Sequence, residues 1–364
     1  MSQAPRRARD LGIVPGRLAP GPLNAITDVP GIAVGHATVD DDADVHTGVT
    51  AIVPAQLGAD RRTLPCGLFV GNGHGKLIGA TEIVELGVIE TPILLTSTLS
   101  AFRVADALVS YVLELPGYEA VRTLNPVVGE TNDGYLSDIR ARPITADHVH
   151  SALANATRDR PAEGCVGAGT GTSALGYKAG VGTSSRLVEG ATVGVLVQSN
   201  FSGELRVLGV PMPVAELLAG TGPEDDSRPD GNSCMIVVAT DAPLDARQLG
   251  RVARRAVFAM ARVGSDFSGG SGDYALAIST AEDTAPLLPE RRLDAVFAAV
   301  QDAVEEALLN SLLMATTTAG HRGTRHALPH AAALTRLRAA QVLTSAGRPT
   351  GDAGVVEPQG GAQG

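Results

Sequence analysis

Residues 233–240 read Ser-Cys-Met-Ile-Val-Val-Ala-Thr, with no alternation between apolar and polar positions. Successive side chains of a strand point to opposite faces, so such a run makes a strand covered on both sides. Residues 91–98 (TPILLTST) form a second buried run. Further strands are expected within 27–39, at 46–55, at the start of 66–75, at 191–200 with 204–214 as its hairpin partner, and at 274–280. Apolar spacing near 3.6 predicts a helix over 99–115, stopped by Pro116 and Gly117. Other helices are expected over 76–87, 145–158, 246–263 and 293–319. Leu249, Val252, Ala256, Ala259 and Val263 fall on one face of the fourth. Strands come early, long helices follow, and strands recur late, without regular βαβα alternation. That order fits a layered α+β sandwich.

The 364 residues allow one large domain or two to three small ones. At 44% hydrophobic with 3% aromatics and no Trp, the core must be built from Ala, Val, Leu and Ile. A net charge of −10 argues against nucleic-acid binding, which needs a basic face. The basic N-terminal stretch has an apolar run that stops at Pro15, too short for a signal peptide. No run approaches the ~20 apolar residues that span a bilayer. Cys66, Cys165 and Cys234 lie far apart, as in a reducing compartment. A cytoplasmic protein without membrane association is expected, with an N-terminal arm over 1–25 and a disordered tail over 346–364.

Several familiar chemistries fail on spacing. A phosphate loop ending at Gly75-Lys76 needs glycine at 70 and Ser or Thr at 77, where Val70 and Leu77 stand. The glycines of 167–171 miss the dinucleotide pattern, because Thr172 occupies its last position. There is no GxSxG elbow, and no HExxH or paired-carboxylate metal motif. Neither a metal nor another cofactor is expected.

Ser233 remains. It opens the buried run directly after a polar, turn-forming linker at 219–232 (AGTGPEDDSRPDGN). If the Asn232–Ser233 peptide is cut, Ser233 holds a hydroxyl nucleophile and, in its own α-amine, a base. The chain can make that cut itself, by attack of the Ser233 hydroxyl on the Asn232 carbonyl and hydrolysis of the resulting ester. The plain alternative is a serine that merely begins a strand.

Longer motifs point the same way. The segment DGNSCMIVVATDAPL (230–244) resembles the cleavage region of the L-aminopeptidase/D-amidase-esterase family, which includes the β-peptidyl aminopeptidases. ITDVPGIAVGHATV (26–39), GETNDGYLSDI (129–139), VGVLVQSNFSGELRVLGVP (193–211) and GSGDYALAIST (270–280) are similar to family motifs and keep their order over about 20–330. The resemblance implies an αββα sandwich like that of N-terminal-nucleophile hydrolases, with different strand connections. One catalytic domain, 1–345, would be cut into 1–232 and 233–364. It implies Ser233 as nucleophile and new N-terminus, with Ser271 and Asp273 orienting its hydroxyl or amine. Asn200 would donate to the oxyanion. Tyr135 would contact substrate or oxyanion, and Glu130 would bind the substrate's free amine. Plain alternatives are a turn cap for Asn200, a core-edge position for Tyr135, solvated loop charges for Glu130 and Asp133, and a turn role for Ser271.

The implied enzyme is a serine aminopeptidase or amidase acting on short peptides, amides or esters as a homo-oligomer, commonly a tetramer of cleaved protomers. Three positions depart from the family pattern. Asp273 replaces a frequent Glu, and Lys76 and Ser97 stand where Glu and Asn are expected. An acyltransferase and an uncleaved binding protein are the competing readings.

Overall fold

The computed structural model describes residues 4–41, 43–188, 190–219 and 232–343, with the side chain of Asn232 excluded. The expected tail, 346–364, and the linker residues 220–231 lie outside them. Two large sheets are built from β1 (Ile32–Asp40), β2 (His46–Pro54), β3 (Leu64–Gly73), β4 (Leu77–Ile78), β5 (Val88–Ile89), β6 (Ile93–Ser97), β7 (Val127–Thr131), β8 (Val181–Val188), β9 (Ala191–Asn200), β10 (Asn232–Thr240) and β11 (Ser271–Ser279). The main helices are α1 (Ala80–Leu86), α2 (Ala101–Leu113), α3 (Ala146–Ala154), α4 (Ala246–Ala259), α5 (Leu293–Leu313) and α6 (His330–Ala339).

The first sheet runs β1-β2-β6-β7-β4 and the second β8-β9-β10-β11-β3-β5. Both are mixed: β6 pairs with β7, and β10 with β11, in parallel, while the remaining ladders are antiparallel.

Side-chain parity on β10 gives the layering. Cys234, Ile236 and Val238 belong to the cluster containing Leu249, Val252 and Ala256 of α4 and Val300, Val304 and Leu308 of α5. Met235, Val237 and Ala239 belong to a second cluster, with Ile52, Ile93, Leu95 and Val127 of the opposite sheet. A third cluster joins the outer face of that sheet, through Val49, Leu94 and Val128, to Val104 and Leu108 of α2 and Val149 of α3. The order is therefore helices, sheet, sheet, helices, the αββα sandwich expected. The apolar run at 233–240 is covered on both faces because it is an inner strand between two cores.

The N-terminal arm is tied down. Ala8 and Ile13 enter the helix-side core. Arg186 of β8 and Glu306 of α5, both fully buried, pair at 2.7 Å, and Arg9 reaches the same carboxylate at 2.9 Å. Arg186 also donates to the carbonyls of Pro15 and Asp302, each at 3.0 Å. Buried charge is tolerated only when paired and hydrogen-bonded in this way.

Several expectations shift. The segment 204–214 is not the hairpin partner of β9, whose neighbours are β8 and β10. It instead carries a small ladder of its own, Arg206–Val207 against Val210–Pro211. Apolar content alone could not say which strand flanks which. The long last helix stops at Leu313 rather than 319, and the short strand near 27–39 extends over nine residues.

Leu276 on β11 is fully buried between the sheets, whereas Leu187 on β8 is 45% exposed. Leu276→Ala should cost about 2–5 kcal/mol. Leu187→Ala should stay within about 0.5 kcal/mol. Denaturant midpoints of the two variants check the layering.

Candidate active site

Strand directions converge on one end of the second sheet. β9 runs antiparallel to β10, and β3 antiparallel to β11, while β10 and β11 are parallel. The last residues of β9 and β3 therefore lie beside the first residues of β10 and β11. Ser233 pairs with Asn200 on one side and Gly272 on the other. Gln198, fully buried on β9, spans the gap to the first sheet by donating to the Thr131 hydroxyl at 2.8 Å and the Ala168 carbonyl at 2.9 Å.

Ser233 is 3% exposed and shares its face with Met235, so its hydroxyl points between the sheets. A Cβ on Gly272 would sit 3.2 Å from Ser233 Oγ and 2.6 Å from the Cα of Gly75. Glycine at 272 is what lets the 72–76 segment cross this close to the serine.

Ser271 and Asp273 take the opposite parity. They face the helix layer with Cys234, against the main chain at the start of β10 rather than beside the Ser233 hydroxyl. The Ser271 hydroxyl donates to Asp273 Oδ1 at 2.7 Å, and Asp273 Oδ2 has no hydrogen-bond partner among the described residues. Burial pushes the Asp273 carboxyl up to about 6; the Ser271 hydroxyl and the Cys234 amide act against this, and Asp266 adds to it. Ser271 is thus more than a turn residue.

Asn200 ties loops together. Its Oδ1 accepts from the Ser173 amide at 3.1 Å, and its Nδ2 donates to the Asn132 carbonyl at 2.8 Å. These bonds join distant segments rather than cap a turn at the strand end, and they fix the amide plane beside Ser233. Tyr135 is buried. The Arg325 guanidinium lies 3.8 Å from its ring centroid, and its hydroxyl is 2.5 Å from where a Cβ on Gly323 would stand. These contacts tie Tyr135 to the 323–325 hairpin strand.

Glu130 and Asp133 are not solvated loop charges. They are 1% and 2% exposed. Glu130 Oε1 accepts from the Lys76 amide at 2.7 Å, with the Lys76 ammonium at 3.9 Å, while Oε2 has no hydrogen-bond partner. Burial raises its pKa, against the opposing pull of Lys76, Thr98 and His74. Asp133 is pushed up to about 7 by burial, against the pull of the nearby Thr47 side chain, with Glu130 adding to the rise. Ser97 bonds within its own turn, to the Ser100 hydroxyl at 3.0 Å. The sequence reading passed over Lys178, which is fully buried and whose ammonium donates to the Gly169 carbonyl at 3.3 Å. Burial lowers its pKa, and Asp133 is among the groups that oppose this. A lysine between Tyr177 and Ala179 carries no local sign that it is buried. Among the described residues no group of three or more His, Cys, Asp or Glu is placed to hold a metal, and no helix is long and apolar enough to cross a membrane.

The chain matches the model of peptidase family S58 over residues 24–326. It is 40% identical to the β-peptidyl aminopeptidase BapA of Sphingosinicella xenopeptidilytica, over 90% of each chain. Among solved structures it is similar to a Burkholderia sp. β-aminopeptidase, with a TM-score of 0.84, 38% identity, and 92% of this chain and 99% of that one covered. The L-aminopeptidase D-Ala-esterase/amidase of Ochrobactrum anthropi, described as a variant of the Ntn-hydrolase fold, gives a TM-score of 0.83 at 34% identity, covering 92% and 98%. The chain, with its αββα layers, belongs to peptidase family S58, the serine aminopeptidases of the N-terminal-nucleophile type.

Proposed function

We propose that this aminopeptidase cuts its own Asn232–Ser233 bond and then uses Ser233 to release N-terminal residues from short peptides, amides or esters. The observation that carries this reading is the position of Ser233: first core-facing residue of an inner strand, hydroxyl between the sheets, directly after the linker. In the maturation step Oγ attacks the Asn232 carbonyl carbon. The C–N bond breaks, the Oγ proton passes to the departing nitrogen, and water hydrolyses the ester to free the Asn232 carboxylate and the Ser233 hydroxyl. The catalytic unit would then comprise 1–232 and 233–345.

In turnover the Ser233 α-amine takes the Oγ proton as Oγ attacks the substrate carbonyl. The leaving amine departs with a proton, and water resolves the acyl-ester. Asn200, whose amide is held in plane by Asn132 and Ser173, would donate to the oxyanion. The Ser271–Asp273 pair lies on the main-chain side of Ser233, which suits it to hold the new amine rather than the hydroxyl. Glu130, on β7 of the facing sheet, and Tyr135, in the turn that follows it, would shape the substrate pocket.

Intact mass under denaturing conditions tests the first step. The wild type should give two chains, the smaller starting at Ser233, and Ser233→Ala should give one intact, inactive chain. Two chains from the variant would sink the self-cleavage. Asn200→Ala should lower kcat by roughly 10²–10³-fold; an unchanged kcat returns Asn200 to a purely structural role. With the Asp273 carboxyl at about 6, kcat/KM should rise with pH through about 6 as the carboxylate forms. Asp273→Asn should remove the rise at about 6 and leave the higher limb set by the Ser233 α-amine, and a rise at about 6 that survives assigns it to another group.

A further inference from the structure

Residues 72–76, which include His74 and Lys76, pass beside the nucleophile. Gly73 pairs with Gly272, and the His74 amide donates to the Ser271 carbonyl at 3.1 Å. The Tyr274 hydroxyl donates to the Gly75 carbonyl at 2.9 Å. Gly75 is the residue packed against Gly272 beside Ser233 Oγ. Lys76 leaves the segment at the next position, and its side chain is 45% exposed. His74, two residues earlier, is exposed as well.

Glu130 stands behind this segment. Its side chain is 1% exposed, Oε1 is engaged by both the amide and the ammonium of Lys76, and Oε2 is buried. A substrate ammonium approaching from solvent therefore meets the Lys76 cation before the carboxylate. The carboxylates of Asp133 and Asp273 are likewise buried. The charge presented outward beside the serine is positive.

We infer that Lys76, assisted by His74, is a specificity-determining residue that selects substrates whose N-terminal residue carries a carboxylate, such as N-terminal Asp or Glu. The inference rests on the aminopeptidase reading above and adds a substrate class to it. A half-exposed ion pair is screened by salt, so the preference should weaken as ionic strength rises.

The test uses the full-length enzyme and a panel of aminoacyl p-nitroanilides with Asp, Glu, Ala and Lys as the acyl residue. The wild type should favour Asp and Glu over Ala by roughly two- to fivefold in kcat/KM at low salt. Lys76→Arg should keep the ratio, Lys76→Met should erase it, and Lys76→Glu should turn it toward Lys. A lysine that serves only as counter-ion to Glu130 would lower all four substrates together and leave the ratios unmoved. Unmoved ratios, or a wild type that prefers Ala or Lys, overturn the inference while leaving the aminopeptidase reading intact. Hydrolysis of none of the four by wild-type enzyme with a freed Ser233 overturns both.

Discussion

β10 is buried on both faces between two apolar cores, and that confines the chemistry this strand can carry to its start. Its middle is committed to two cores, through Ile236 and Val238 on one side and Met235 and Val237 on the other. Chemistry is displaced to the first residue, Ser233. Because β9 and β3 run antiparallel to the parallel pair β10 and β11 that they flank, the same end of the sheet collects Asn200, Ser271, Asp273 and the glycine-rich end of β3.

The cost of this arrangement is desolvation. Glu130, Asp133 and Asp273 all have raised pKa values, and in each case burial is the largest cause. Lys178 shows the mirror effect, with a lowered value. Clusters of this kind accompany functional sites, where groups must titrate near the working pH. Burial also lowers the pKa of Arg186, but the Arg186–Glu306 pair lies outside this cluster and is held by Arg9 and by the Pro15 and Asp302 carbonyls, which suits a structural lock.

Legibility in the sequence followed the range of the interactions. The β10 and α4 patterns could be read directly, because periodicity is local and both elements bury by a simple rule. The αββα order came from motif resemblance, since no local signal states which strand lies beside which. The mistaken 191–200/204–214 hairpin shows this limit: adjacency in sequence lost to a partner more than thirty residues away. Ser233 was legible because the linker and the apolar run meet there. Asp133 was not, because the same aspartate in a polar motif reads as a loop charge until Thr47 and Lys178 are folded over it. The facing of Ser271 and Asp273 away from the serine hydroxyl depended on register, which a sequence does not carry.

The strand order of the second sheet has a consequence for a chain cut before Ser233. β8, β9, β3 and β5 would belong to one fragment, and β10 and β11 to the other, inserted between β9 and β3. The shorter fragment would be a wedge held by hydrogen-bond ladders on both flanks, with α4 and α5 clasped over it. Neither piece has the complete second sheet alone. The halves would behave as one object whose separation amounts to unfolding, so the mature protein would be knitted together by topology although no peptide bond joins its parts.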